Sequence, residues 1–296
     1  MATAIIGGIT IEYQCYGNDD GKPLLLIQGM GTQMVMWPEA MIEGLVDQGF
    51  RVIAFDSRDC GLSQKFDDWG PADLGAAFAQ IKQGETVTAP YDLDDMAVDT
   101  AGLIDLLGYQ RMHVAGLSNG GAIAQILAIN FPEKVQSLTL IMSTSARRGL
   151  PKPSPEATLW LAQPRNPQGT LQGAIEDALD TARVIGSPAF PATQEALSAA
   201  AQAQFERNYC PDGFGRHFLA SLSSADRRVA KLSSIAAPTL IVQGAEDPLV
   251  PAACAKDLHS TISDSRLLMI EGMGHDLPVE CLPQIVDAIA ALASNS

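Results

Sequence analysis

The 296-residue sequence is short of positive charge: 19 Lys and Arg stand against 34 Asp and Glu, a formal net charge of −15. General nucleic-acid binding needs clustered cations to displace phosphate counterions, so the balance argues against that class. The same shortage argues against docking on anionic lipid. No apolar run reaches the roughly 18–20 residues that span a bilayer. The opening Met1-Ala-Thr-Ala-Ile-Ile-Gly-Gly lacks the basic and apolar stretches of a secretory signal. Cysteine is sparse and odd in number: Cys15, Cys60, Cys210, Cys254 and Cys281 are scattered, without Cys-x-x-Cys spacing. They read as free thiols in a reducing compartment rather than a disulfide frame or zinc site. His113, His217, His259 and His275 also lack paired metal-ligand spacing. The expectation is a cytoplasmic protein with no metal or cofactor and no membrane or nucleic-acid partner.

What is present is apolar residues, 47% of the chain, and a length that buries a large core. After an amphipathic ribbon over 4–16, Leu24-Leu-Leu-Ile27 is a short apolar strand ended by Gln28-Gly29-Met30-Gly31. Helical periodicity follows over 38–48, strand over 51–56, helix over 93–107, strand over 112–116 and helix over about 120–130. Further apolar strands lie at 138–142, 239–242 and 267–270. Apolar strands alternating with helices predict an α/β fold: a mostly parallel sheet with helices on both faces.

One stretch breaks the rhythm. Residues 147–234 are helix-like and almost without strand signal, entered past Pro151, Pro153 and Pro155 and left before Pro238. They carry ten Lys and Arg against eight Asp and Glu, a balance of +2, which leaves nine against 26, or −17, on the rest. The expected organisation is a core of 1–146 and 235–296 with a helical cap insertion at 147–234. The 64–91 connection is also unusually long, with a short helix-like piece near 72–82.

The strongest chemical signal is Gly116-Leu-Ser118-Asn119-Gly120 between a strand and a helix. A sharp strand-to-helix turn strains its central residue, and glycines two before and two after remove Cβ clashes. The turn exposes the Ser118 hydroxyl at the carboxyl end of its strand, beside backbone N–H groups that stabilise an oxyanion. Against this stands an incidental serine in a Gly-rich turn, which the flanking strand and helix disfavour. Serine needs a base, and His275, in Glu271-Gly-Met-Gly-His275, follows the apolar run 267–270. His113 lies inside a strand and reads as packed core, and His217 and His259 read as structural. The base needs an orienter. Asp247, in Gly244-Ala-Glu-Asp247-Pro248, follows strand 239–242 and is preferred over Glu246 beside it and Asp276 beside the histidine itself. Ser, Asp and His in that chain order match α/β-hydrolases rather than the two familiar serine protease folds. Trp37, Trp69 and Trp160 are assigned no role.

These motifs, with Gln28-Gly-Met-Gly31 and Asp56-Ser-Arg58-Asp-Cys-Gly61-Leu-Ser63, give the chain a resemblance to the α/β-hydrolase superfamily over nearly its whole length. Within it the pattern looks most like small serine carboxylesterases of the aclacinomycin methylesterase type. The resemblance implies oxyanion donors at the backbone N–H groups of Met30 and Asn119. Such enzymes commonly carry His-Gly where Gln28 stands, a change the backbone donor tolerates. The Asp56 to Ser63 stretch becomes a structural corner. Ser118 at the elbow disfavours dehalogenases and epoxide hydrolases, which use Asp there.

The leading functional reading is hydrolysis of a small-molecule ester, the expected partner, through Ser118, Asp247 and His275. Carbon–carbon hydrolysis, lactone opening or perhydrolysis would use the same triad. A non-catalytic small-molecule binding protein is the alternative of another class, disfavoured because all three triad members are present. The near-neutral insertion points to a neutral or weakly anionic ester rather than a cationic one. A homo-oligomer is left open.

Overall fold

The structure, a computed structural model, describes residues 1–166, 168–225 and 227–296. Strands β1 (Ala2–Ile6) and β2 (Ile9–Tyr16) pair as an antiparallel hairpin closed at Gly7 and Gly8. Then come β3 (Lys22–Ile27), α1 (Glu39–Asp47), β4 (Phe50–Phe55), α2 (Leu74–Gln83) and α3 (Leu93–Leu106). They are followed by β5 (Met112–Leu117), α4 (Asn119–Asn130) and β6 (Val135–Ile141). Four helices come next: α5 (Pro155–Ala162), α6 (Leu171–Ile185), α7 (Gln194–Asn208) and α8 (Pro211–Ser224). The chain closes with β7 (Thr239–Gly244), α9 (Ala252–Thr261), β8 (Ser265–Ile270) and α10 (Leu282–Ala293).

The eight strands form one sheet in the order β1-β2-β4-β3-β5-β6-β7-β8. β1 and β2 run antiparallel to their neighbours and the other strands are parallel, which is the mostly parallel α/β sheet expected. β3 shows why these runs are continuously apolar. Leu24 and Leu26 pack on one face with Met41 and Leu45 of α1 and Ile285 and Ile289 of α10. Leu25 and Ile27 pack on the other with α3, α4 and α9. A strand covered on both faces has no solvent side to mark with polar residues. The strand pattern alone gives no warning of α9 and α10, which start beside Pro251 and Pro283.

After β3 the chain moves to β4 on one side and then returns to β5 on the other. The carboxyl ends of β3 and β5 therefore flank a reversal of strand order, where open parallel sheets place their sites. The inserted helices begin as their sequences direct. Ser154, Thr170 and Thr193 each accept a backbone N–H at the N-cap of α5, α6 and α7. Among the described residues of 147–234 there is no strand. No described helix is long and apolar enough to cross a membrane.

Candidate active site

Ser118 sits between β5 and α4 with φ 53° and ψ −114°, a positive φ rare for a side-chain-bearing residue. Its flanking glycines are obligatory for close approach. A Cβ on Gly120 would lie 2.2 Å from the Ile27 carbonyl, and one on Gly116 2.3 Å from the Gly120 carbonyl. The elbow is thus pressed between β3 and its own helix, and the hydroxyl is held outward.

His275 and Asp247 arrive at the same edge from β8 and β7. Ser118 Oγ lies 3.0 Å from His275 Nε2, and His275 Nδ1 lies 2.7 Å from Asp247 Oδ2. The Asp247 carboxylate is fully buried and fully engaged. Oδ1 accepts the Leu249 and Val250 N–H groups at 2.8 and 2.7 Å, and Oδ2 accepts Gln243 Nε2 at 3.1 Å. So anchored, Asp247 holds the proton of His275 on Nδ1 and leaves Nε2 to accept from Ser118. The rival carboxylates point elsewhere. Glu246 accepts the Gly272 N–H at 2.5 Å, and Asp276 accepts the Ser187 hydroxyl. Burial raises the Asp276 pKa.

The two backbone groups expected to face an oxyanion are left over when their neighbours are paired. Gly29 N–H donates to Gln28 Oε1 at 2.8 Å, and Gly31 N–H donates to His217 Nδ1 at 3.1 Å. Met30 N–H, between them, meets no acceptor among the described residues. Asn119 is the first residue of α4, where a backbone N–H has no intrahelical partner. Met30, Ser118 and Asn119 together line a cavity of about 340 Å³.

Sequence reading treats His217 as structural, and the structure shows what it supports. It is buried on α8, accepts Gly31 N–H at Nδ1 and donates from Nε2 to the Arg58 carbonyl at 2.7 Å. Accepting at Nδ1 requires the neutral ring, and burial keeps its pKa below the usual range. Arg58 grips Asp99 of α3 through two bonds of 2.7 and 2.8 Å, which agrees with a structural corner. Asp56 accepts Met34 N–H at 2.8 Å and Arg207 of α7 at 2.6 Å. On the histidine loop, His275 N–H donates to the Ile185 carbonyl at 2.7 Å and Gly274 N–H to Ser187 Oγ at 2.8 Å. Nothing in the spacing of the sequence marks these props.

His113 is buried in β5, 2.8 Å from Ser137 Oγ, as a packed core histidine should be. His259 lies on α9 beside Ser265 Oγ at 2.9 Å. Trp37 is buried in the core and Trp69 is exposed, and Trp160 packs edge-on to Phe214. All five cysteines are unpaired. Among the described residues one group of metal-ligating atoms is close-set, Asp59, Asp67 and Cys210. Arg216 occupies the centre of that group, bonded to both Asp59 oxygens at 2.8 Å and to Asp67 at 3.1 Å. A cation's place there is taken by a guanidinium.

Comparison with known proteins agrees with this architecture. Residues 22–280 match the family described as the alpha/beta hydrolase fold. Rhodomycin D methylesterase DnrP of Streptomyces peucetius is 27% identical, over 96% of this chain and 94% of that protein. 3-Oxoadipate enol-lactonase 2 of Acinetobacter baylyi is 28% identical, over 86% and 84%. Among solved structures, the meta-cleavage product hydrolase of Pseudomonas fluorescens IP01 superposes with a TM-score of 0.73 at 19% identity, over 100% of this chain and 98% of that one. With the family match spanning most of its length, the chain belongs to the alpha/beta hydrolase fold family.

Proposed function

We propose that this protein is a serine hydrolase that cleaves a small-molecule ester through an acyl-enzyme on Ser118. The observation that carries the reading is the unbroken chain from Asp247 through His275 to Ser118, at 2.7 and 3.0 Å, beside two uncommitted backbone N–H groups. Ser118 Oγ attacks the carbonyl carbon as its proton passes to His275 Nε2. The negative oxygen is received by the N–H groups of Met30 and Asn119, each worth roughly 3–4 kcal/mol where such donors have been removed. The ester C–O bond breaks as His275 returns that proton to the leaving alcohol. Water then attacks the acyl-enzyme, giving one proton to His275, which restores it to Ser118 as the acid departs. Asp247 keeps the imidazole in one tautomer and balances its charge while it is protonated.

Residues 147–234 act in this proposal as a cap. Arg147, Leu150, Pro153, Leu161 and Phe218 form part of the cavity wall beside Ser118. The methylesterase relatives support ester cleavage. The lactonase relative and the carbon–carbon hydrolase neighbour keep the same triad compatible with those reactions. The test is labelling by a fluorophosphonate together with turnover of nitrophenyl and methyl esters, a lactone and a meta-cleavage dienoate. The reading expects labelling that Ser118→Ala abolishes, with the esters turned over fastest. Absence of labelling on the folded wild type would identify a binding protein instead.

A further inference from the structure

Among the described residues lining the cavity beside Ser118 are three cations, Arg147, Lys152 and Arg228, and no Asp or Glu, in a chain of net charge −15. Two of the three need no explanation. Arg147 is paired with Asp257 at 2.7 Å, and Lys152 is solvent-exposed. Arg228 is different. It is 5% exposed, and among the described residues its bonds are to neutral acceptors: Nε to Gln125 Oε1 and Nη2 to the Thr144 carbonyl, both at 3.0 Å. Among the described residues no carboxylate lies within ion-pair distance of it, and Nη1 has no acceptor.

The other arginines buried to this degree are each neutralised by contact. Arg58 grips Asp99 at 2.7 Å and Arg216 grips Asp59 at 2.8 Å. Taking a cation out of water without a counter-charge is among the costlier things a fold can do. Burial pulls the Arg228 pKa down, to about 10, which leaves the group ionised at neutral pH. Its unfilled edge, Nη1 with the second Nη2 proton, is the two-donor fork that fits a planar carboxylate.

We propose that Arg228 is an anion subsite of this cavity, so that the ester cleaved at Ser118 carries a carboxylate elsewhere in the molecule. The inference rests on the hydrolase reading above and adds the substrate class: half-esters of small dicarboxylic acids and acids of similar reach. Leu93, Ala122 and Leu249 supply apolar wall around the cavity and suit the hydrocarbon between the two ends.

The experiment compares monomethyl adipate with methyl adipamate, its neutral carboxamide counterpart, on the wild type, R228Q and R228K. A charge-assisted hydrogen bond in a dry site supports roughly 10- to 100-fold discrimination. The wild type should favour the acid by at least about tenfold in kcat/KM. R228Q should erase that preference, costing the acid at least about tenfold more than the carboxamide in kcat/KM, and R228K should restore part of it. Equal turnover of acid and carboxamide by the wild type would overturn the subsite. So would an equal loss on both substrates in a folded R228Q, because Arg228 would then be only a bolt between Gln125 and Thr144. Calorimetric titration of the wild type with adipate and adipamide needs neither catalysis nor a variant. Adipate should bind the tighter, and equal binding of the two would sink the proposal. Fluorophosphonate labelling of Ser118 without acid preference would reject the subsite alone, and absence of labelling would reject the hydrolase reading.

Discussion

The sheet region and the inserted helices meet at the same site but contribute different kinds of atom. From the sheet come the side chains placed for the proposed reaction, each in the connection that follows a strand: Ser118 after β5, Asp247 after β7 and His275 after β8. From the helices come bonds that mostly grip backbone: His217 on Gly31 and Arg58, Ser187 on Gly274, and the Ile185 carbonyl on His275. In the proposed reaction one region carries the chemistry and the other sets the posture of the loops that carry it. Strand ends are rigid because their hydrogen-bonded neighbours hold them, whereas loops between strands and helices need an outside brace.

This division predicts how sharply variants separate. Ser118→Ala and His275→Ala should each lower kcat by something near 10⁶-fold with the fold intact, and the double variant little further, because triad members act as a unit. Single-turnover and steady-state rates on an activated ester check it, and retention of more than a few per cent activity in either would refute the assignment.

Next in size is a test of the orienting carboxylate. Asp247→Asn should cut kcat by about 10⁴-fold through the wrong imidazole tautomer. Asp276→Asn, whose carboxylate is turned toward Ser187, should cost no more than about tenfold. The reverse ranking would move the orienter into the loop braced by the insertion.

A third expectation concerns acid stability and sets a sheet histidine beside one from the insertion. Burial, with Lys22 and Arg111 nearby, lowers the His113 pKa to about 4, and burial lowers that of His217. Unfolded histidine titrates near 6.5. Between the two values the unfolded chain holds more protons, so stability rises with pH there. It is fully present above about pH 6.5 and is lost as pH falls toward 4, by up to about 3 kcal/mol for His113. Thermal unfolding between pH 7.5 and 5 should show Tm falling for the wild type and falling less for His113→Gln. Parallel curves would show that His113 binds its proton as readily folded as unfolded.

The smallest effect probes the brace itself. His217→Gln keeps one contact but disturbs the grip on Gly31, and should lower kcat about tenfold, well short of the roughly 10²–10³ for losing an oxyanion donor outright. KM and the Tm should change little. A loss confined to KM would place His217 in substrate binding rather than in holding the Met30 turn.

Much of the site was legible because each motif is local. The glycines around Ser118 follow from the steric demands of a single turn, and the carboxyl-end positions of Asp247 and His275 follow from apolar strands read just before them. Asp247 over Asp276 was also decidable, since a side chain adjacent to a histidine reaches its neighbour's ring poorly. His217 was legible only as a structural residue. Its partner Gly31 lies 186 residues away, and no periodicity links them.

By itself, the sequence determined the alternation of strand and helix, the parallel sheet and the order of Ser, Asp and His. These rest on backbone sterics and on apolar patterns that repeat within a few residues. Tertiary structure alone decided which N–H groups stay unpaired, what anchors the chosen carboxylate and which buried arginine meets no carboxylate among the described residues. Those are properties of what is left over after every other group has found its partner. Arg58 and Arg228 look alike in the sequence. Only the folded chain brings Asp99 to the one and leaves the other facing the cavity without a carboxylate among the described residues.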